Sequence, residues 1–299
     1  MTYSIVARDP ESGSLGVAVQ SHWPFTGFGV PWAEAGVGAV ATQASVEVSY
    51  GPLGLELLRA GKAPEEVLRA LSSVDDDAAE RQVGVVDAQG RSAAMTGPRC
   101  IREAGQVVGN GFTVQANMME RDSVWDAMAE AYESSTAEFP LRLVDALDAA
   151  EAEGGDIRGR QSAAILVVAG APTGRPWTDT VLDARVDDAA DPLSELRRLV
   201  DLQRAYDLMD RGEELGRDGD EAGAAEAFAS ALQLAPRSQE IRFWLAVGLT
   251  MARRPEEARG LMQELAAERP QWAELLRRLP AAGVLPDDPD LLRLVDPEA

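Results

Sequence analysis

The strongest constraint on the fold is a spacing of 34 residues that recurs in the last third of the chain. Residues of like character stand one period apart: Leu215 and Leu249, Ala224 and Ala258, Phe228 and Met262, and Pro236 and Pro270. A period of this length, with apolar residues at fixed positions, predicts stacked helical hairpins. We expect an all-α domain over 191–284 and a solvated acidic tail over 285–299. A generic helical hairpin is the alternative.

The first 190 residues show a different pattern, in which short apolar runs alternate with turns. Strands are predicted at 3–8, 14–20, 36–43, 105–117, 161–170 and 181–188, and as a hairpin within 81–97. Helices are predicted as a pair over 52–71 and over 121–153 with a break near Phe139. This order favours an α+β domain over 1–190, with two helical layers around a largely antiparallel core.

Composition excludes several classes of function. The net charge is −22 and no basic stripe is present, so a nucleic-acid partner is not expected. No apolar run approaches the roughly 18 residues of a membrane span, and no leader is evident, so we expect a cytoplasmic protein. His22, Lys62 and Cys100 are each the only residue of their type. These single residues cannot build a structural zinc site, and phosphate-loop and dinucleotide motifs are absent, so we expect neither metal nor cofactor.

The start of the chain offers a nucleophile. Met1 and Thr2 lead directly into the first predicted strand. If Met1 is removed, the Thr2 hydroxyl has a general base on the same residue, its own α-amine, whose pKa is ordinarily about 8. The alternative is that methionine followed by threonine is merely a common start.

A second polar group precedes the strand predicted at 161–170. Asp156, Arg158, Arg160 and Ser162 stand in a glycine-rich turn, where an arginine can bind a carboxylate through two parallel bonds. The alternative is a charged turn with an internal Asp–Arg pair. Further polar candidates stand elsewhere in the first 190 residues: Gln43, Asn117 and His22.

Several segments together resemble one bacterial family, the domain of unknown function 1028. They include TYSIVARDPESGSLGVAVQS, VPWAEAGVGAVATQAS, RQVGVVDAQGRSAAMTG and GGDIRGRQSAAILVV, and the resemblance covers about 2–204. That family is similar to the N-terminal nucleophile (Ntn) hydrolases, which implies a four-layer αββα sandwich with Thr2 as nucleophile. The lysine that proteasome-like members place near the threonine has no counterpart here. The helical region resembles tetratricopeptide repeats.

The leading hypothesis is an amidohydrolase acting on a small amide or ureido substrate. Thr2 attacks the carbonyl, Asp156 and Ser162 tune the α-amine, and the substrate is bound by Arg158, Arg160, Gln43 and Asn117. The second hypothesis is an inactive scaffold whose repeats bind a protein partner. A third is a hydrolase of another class that uses Cys100 or His22. A homo-oligomer is expected in addition.

Overall fold

The computed structural model describes residues 2–296, except for the side chains of residues 221 and 222. Within that range the strands are β1 Thr2–Arg8, β2 Leu15–Ser21, β3 Pro31–Glu34, β4 Gly38–Ala44, β5 Arg81–Asp87, β6 Ser92–Thr96, β7 Gly105–Gly109, β8 Phe112–Asn117, β9 Ser162–Val168 and β10 Thr180–Val186. The helices are α1 Thr26–Gly29, α2 Tyr50–Arg59, α3 Pro64–Ser72, α4 Val124–Ser134, α5 Phe139–Ala152, α6 Pro192–Arg217, α7 Glu221–Leu234, α8 Gln239–Met251, α9 Pro255–Glu268, α10 Gln271–Arg278 and α11 Pro289–Val295. The chain divides into two compact units, 1–200 and 201–299.

The first unit contains two antiparallel sheets. One has six strands in the order β10-β9-β2-β1-β8-β7, and the other has four in the order β3-β4-β5-β6. The predicted hairpin of the first two strands is confirmed, with Thr2 paired to Ser21 and Arg8 paired to Leu15. The strand predicted at 181–188 lies at the edge of the larger sheet. Strand β3 was not predicted; it has only four residues and begins with a proline.

The residues of β1 alternate between two interiors, as the period of two requires. Tyr3 and Ile5 face a core formed with α4 and α5, and this core also contains Leu143 and Leu147. Val6 faces the opposite way, into an aliphatic cluster between the two sheets. The larger sheet is therefore covered on both faces, by helices on one side and by the smaller sheet on the other.

Helices α2 and α3 cover the outer face of the smaller sheet, where Leu55 and Val67 pack on Val83 and Val85. Their boundaries follow from local chemistry, because Pro64 occupies the first turn of α3 and the Glu66 side chain accepts from the Ala63 N–H. The helical pair predicted over 52–71 is confirmed.

The second unit is all-helical, as the repeat predicts. Ala224, Phe228 and Ala231 are buried, and a side chain at Gly212 or Gly248 would contact the Phe228 ring. These small residues let the helices approach the ring closely, which is the packing that the period implies.

The expectation of a solvated tail from residue 285 is wrong for the part that the structure describes. Helix α11 buries Leu291 and Val295, and Val295 belongs to the same core as α9 and α10. The Arg277 guanidinium also forms an ion pair with Asp296. An amphipathic turn hidden in an acidic stretch explains the difference, and residues 297–299 lie outside the described range. The domain boundaries at 190 and 284 stay predictions.

None of the described helices has the length and apolar character that crossing a bilayer requires. The described residues also contain no group of three or more His, Cys, Asp or Glu side chains suited to a metal ion.

Candidate functional site

Thr2 lies in a row of polar residues that crosses four neighbouring strands. Backbone pairing aligns Ser162 with Ser21, Ser21 with Thr2, and Thr2 with Asn117. Cross-strand partners share a face, so this row faces the smaller sheet. The Thr2 hydroxyl donates to the Ser21 hydroxyl at 3.0 Å. Thr2 and Ser162 therefore lie at the same end of the sheet, about 10 Å apart across two strand spacings.

Two side-chain amides hold the Thr2 backbone. The Thr2 carbonyl accepts from Gln43 Nε2 at 3.1 Å and from Asn117 Nδ2 at 3.2 Å. Gln43 reaches across from the smaller sheet, whereas Asn117 is on the adjacent strand of the larger one. The structure thus brings together three of the predicted site residues, Thr2, Gln43 and Asn117.

These contacts belong to a cluster of uncharged polar side chains between the sheets, six of them buried and two partly buried, which we call the amide cluster. Its members are Ser4, Gln43, Gln82, Thr96, Gln106, Thr113, Gln115 and Asn117. Gln115 Nε2 donates to Ser4 Oγ at 2.6 Å, and Ser4 Oγ donates to Gln43 Oε1 at 2.6 Å. A side chain at Gly84 would overlap the Gln115 amide. The glycine therefore makes room for the cluster at the closest approach of the sheets.

One atom of the cluster has no partner. Asn117 Oδ1 is buried and makes no hydrogen bond to any residue that the structure describes. Such a group costs about 1–3 kcal/mol, so its presence calls for an explanation. It lies in the polar row beside Thr2, where a donor on a bound molecule would satisfy it.

Backbone strain collects at the same end of the sheets. Ala44 and Met118, which directly follow Gln43 and Asn117, have left-handed φ angles of 74° and 57°. Phe25, in the loop after Ser21, has φ 60°. Left-handed backbone at residues other than glycine is uncommon and clusters at functional sites.

Asp156 and Arg158 interact chiefly with each other. Arg158 Nη2 lies 2.8 Å from Asp156 Oδ2, and the Arg158 N–H donates to Asp156 Oδ1 at 2.9 Å. The carboxylate also accepts from the His22 N–H at 3.4 Å. This geometry matches the alternative of an internal pair. Arg160 is similarly committed, to Glu151 and Asp191.

Ser162 anchors the loop that follows β2. Its hydroxyl donates to the Trp23 carbonyl at 2.5 Å and accepts from the Thr26 N–H at 3.3 Å. Asp156 and Ser162 thus hold two points of the same loop. The catalytic roles given to them by the sequence analysis stay predictions, and the observed contacts are positional.

The third hypothesis has little support in the geometry. Burial raises the pKa of the Cys100 thiol, which disfavours the reactive thiolate. The thiol contacts the carbonyls of Glu80 and Arg81. Lys62 is exposed in the turn between α2 and α3.

The sequence analysis missed most of the amide cluster, including Gln82, Gln115 and Ser4. The signal was present as polar residues within otherwise apolar strands, such as Gln82 in RQVGVV. In a sheet covered on both faces, an isolated polar residue marks a buried interaction rather than a solvent-facing position.

Comparisons with known proteins agree with this organisation. A family described as "Family of unknown function (DUF1028)" matches residues 2–196, and a tetratricopeptide repeat family matches residues 217–279. The crystal structure of a DUF1028 protein from Silicibacter pomeroyi is similar, with 34% sequence identity and a TM-score of 0.61. That match covers 67% of this chain and 84% of the other. No curated protein matches. The chain belongs to the DUF1028 family and carries tetratricopeptide-like repeats after its α/β unit.

Proposed function

We propose that the protein is an N-terminal threonine amidohydrolase of the Ntn type. The observation that carries the proposal is the environment of Thr2. This residue is the first of β1, and its side chain faces the space between the two sheets. Two amides hold its carbonyl and a serine contacts its hydroxyl. The sequence of layers, from α4 and α5 through the two sheets to α2 and α3, supports an αββα sandwich.

The reaction requires loss of Met1, a residue outside the described range. The freed α-amine takes the proton of Thr2 Oγ1 as that oxygen forms a bond to the amide carbon. The carbonyl π electrons move to oxygen, and backbone N–H groups stabilise the resulting oxyanion. The amine then returns the proton to the leaving nitrogen as the C–N bond breaks. Water hydrolyses the remaining ester with the same amine as base, which regenerates Thr2.

The surrounding residues position this chemistry. Gln43 and Asn117 fix the Thr2 backbone, and the Ser21 hydroxyl orients Thr2 Oγ1. Asp156 and Ser162 fix the loop after β2 through His22, Trp23 and Thr26. We assign these two as positioning residues. Because Arg158 and Arg160 are paired with acidic side chains, binding a substrate carboxylate would require them to exchange partners.

Intact mass followed by labelling tests the proposal. We expect the purified protein to lack Met1, and a β-lactone electrophile to add its mass to the peptide that begins at Thr2. Thr2→Ala should abolish labelling and amide hydrolysis, and Thr2→Ser should retain part of both. Thr180→Ala changes an exposed threonine and serves as the control. Retention of Met1, or labelling unaffected by Thr2→Ala, would contradict the proposal.

A second candidate function is supported by the helical unit. A groove of about 870 Å³ is lined mainly by apolar and small residues of α6, α7 and α8, including Gly212, Gly216, Phe228 and Leu249. Such a surface favours the scaffold hypothesis, in which the repeats bind a protein partner. Retained Met1 together with a partner lost on Gly216→Trp would select this function. The homo-oligomer stays a prediction, which sedimentation would test.

A further inference from the structure

Large apolar side chains are exposed on three loops that adjoin the polar strand ends. Trp23, Phe25 and Phe28 are 66%, 60% and 75% exposed, and Ile157 is 62% exposed. Val46 and Val48 are exposed on the loop after β4. We call these six residues the apolar rim. Their concentration in three loops is unusual, because exposed apolar residues are ordinarily scattered.

Each rim loop has a rim residue within a few positions of a residue of the candidate site. Trp23 follows Ser21 by two positions, Val46 follows Gln43 by three, and Ile157 directly follows Asp156. Asp156 in turn forms a β-bridge with Met119, two residues beyond Asn117. The rim therefore surrounds the end of the sheets at which Thr2 lies.

The loops also contact one another. Ser162 binds Trp23 and Thr26, and Asp156 accepts from the His22 N–H. A side chain at Gly29 would lie 3.6 Å from Val48 and 3.9 Å from Val46, which places the loop after β4 against α1. The segment that carries Phe28 therefore lies beside the two valines, and the segment that carries Trp23 is bonded to the first residue of β9.

Hydrogen bonds fix the backbone of two of the rim loops. Phe25 has a left-handed backbone, a conformation that aromatic residues adopt rarely, and its N–H donates to the Asp187 carbonyl at 3.1 Å. Arg81 donates to both the carbonyl and the hydroxyl of Ser45, next to Val46. Strain that the structure maintains at exposed aromatic residues indicates binding.

We propose that the apolar rim binds a large apolar group of the substrate, so that the substrate is an amide bearing an alkyl or aryl acyl group. This inference rests on the proposed function and narrows the substrate from the expected small amide or ureido compound to one with a large apolar acyl group. None of the six rim residues is charged, and Glu47 is the acidic residue between the two valines. With a net charge of −22, the surface disfavours an anionic ligand.

Continuity with the polar row favours a substrate group over a second copy of the chain. The polar row next to the rim contains buried polar atoms, among them Asn117 Oδ1, which has no hydrogen-bond partner among the residues that the structure describes. An amide N–H held there satisfies this acceptor while the acyl group covers the rim. A self-interface would bury the rim but would offer no specific donor to Asn117.

A chain-length series tests the inference. Acyl p-nitroanilides from acetyl to octanoyl are hydrolysed by the whole protein, and binding of the matching primary amides is titrated to the Thr2→Ala variant. We expect both kcat/KM and affinity to rise by about three- to fourfold for each methylene that the rim buries. Trp23→Ser combined with Phe28→Ser should remove most of this gain, measured for each protein relative to its own acetyl compound.

Trp177→Ser is the matched control, because Trp177 is 79% exposed but lies in the loop between β9 and β10, outside the rim. The inference is overturned if chain length has no effect or if the control equals the rim variant. It is also overturned if the rim variant only converts a dimer to a monomer in sedimentation. Rim-dependent binding without hydrolysis would reject the proposed function and leave the rim assignment standing. Hydrolysis without chain-length dependence would do the reverse.

Discussion

The layer between the two sheets has two ends of opposite chemistry. At one end, Leu15, Val17 and Val86 form an aliphatic cluster. At the other end, the amide cluster fills the same layer with hydrogen-bonded side chains. Strands β1, β4 and β5 supply inward-facing residues to both clusters, whereas β2 and β9 supply only the aliphatic cluster and β6, β7 and β8 only the amide cluster. Along the three shared strands the difference therefore lies in the side chains and not in the backbone architecture.

The contrast separates stability from recognition. Burial of an aliphatic side chain contributes about 1.5–3 kcal/mol. A hydrogen bond between neutral groups contributes only about 0.5–1.5 kcal/mol net to stability. Leaving a buried donor or acceptor without a partner, however, is costly. We infer that the aliphatic end supplies the stability that allows the amide end to be polar, strained and incompletely bonded.

The largest expected effect comes from breaking the aliphatic end. Leu15 is fully buried, so Leu15→Ala should lower the free energy of unfolding by about 2–5 kcal/mol. Hydrogen exchange of the β1 and β2 amides measures the loss. Labelling of Thr2 per folded molecule should not change. If Thr2 labelling changed under conditions in which all of the protein is folded, the two ends would be coupled.

Gln82→Met breaks the centre of the amide cluster with little change in shape. Gln82 Oε1 accepts from Gln43 and Asn117, and both donors would lose this partner. We expect a loss of about 1–3 kcal/mol for each group left unpaired, in the same exchange experiment. We also expect Thr2 labelling to fall, since Gln43 and Asn117 hold the Thr2 carbonyl. Normal labelling would argue against a positioning role for the cluster.

Gly84→Ala tests the close approach of the sheets. The added methyl group would overlap Gln115, so the variant should lose about 1–3 kcal/mol through overpacking. Gly260→Ala is the control for the same substitution, because that site in α9 has no neighbour within 4 Å. The control should stabilise its helix by about 0.5–1 kcal/mol. Equal effects at the two sites would contradict the packing described for Gly84.

A smaller effect of opposite sign is expected at Gln20. Its side chain is fully buried on the helical face of the larger sheet, and neither amide atom has a partner among the described residues. Gln20→Met removes this unsatisfied amide and should raise the free energy of unfolding by up to about 1 kcal/mol. A clear loss in urea unfolding would show that the amide is bonded, for instance to water.

The smallest effect concerns acid stability next to the amide end. The Arg81 guanidinium holds the pKa of the Asp75 carboxyl well below its usual range. Such a group contributes stability above its unfolded pKa of about 4, and this contribution is lost as the pH falls through the folded pKa. The urea midpoint of the wild-type protein should therefore decline more than that of Asp75→Asn when the pH is lowered from about 5 to about 3, a range that spans the unfolded pKa. Parallel declines would contradict the assignment.

Much of the fold could be predicted because local patterns and tertiary packing agree. The β1–β2 hairpin follows from two alternating runs around a turn, and the helical repeat follows from its period. The strand β3 could not be found, since a four-residue segment beginning with Pro31 has too few positions to show alternation. The final helix was missed because its apolar residues, Leu291 to Val295, are flanked on both sides by acidic residues and prolines.

The candidate site was only partly predictable for a physical reason. Thr2 was found from its place at the start of the first strand. Asp156 and Arg158 look reactive in sequence, but residues two positions apart can satisfy each other, as they do here. Gln82 and Gln115 look ordinary in sequence because their partners come from other strands. Only the pairing of the sheets shows that these amides meet.

The hydrogen bonds that link seven members of the amide cluster in series all run in one direction, and Asn117 joins the series as a side branch that donates to Gln82. From Thr113 the donors lead to Gln115, Ser4, Gln43, Gln82, Thr96 and Gln106 in turn, and the last amide donates to the Ala94 carbonyl. Rotating a single amide would set donor against donor, so the order can reverse only if every member turns together. The chain of dipoles is thereby polarised as a unit. Its side-chain NH₂ groups should rotate slowly together in NMR spectra, and the polarity presented to Thr2 should be constant over the pH range in which the protein is folded.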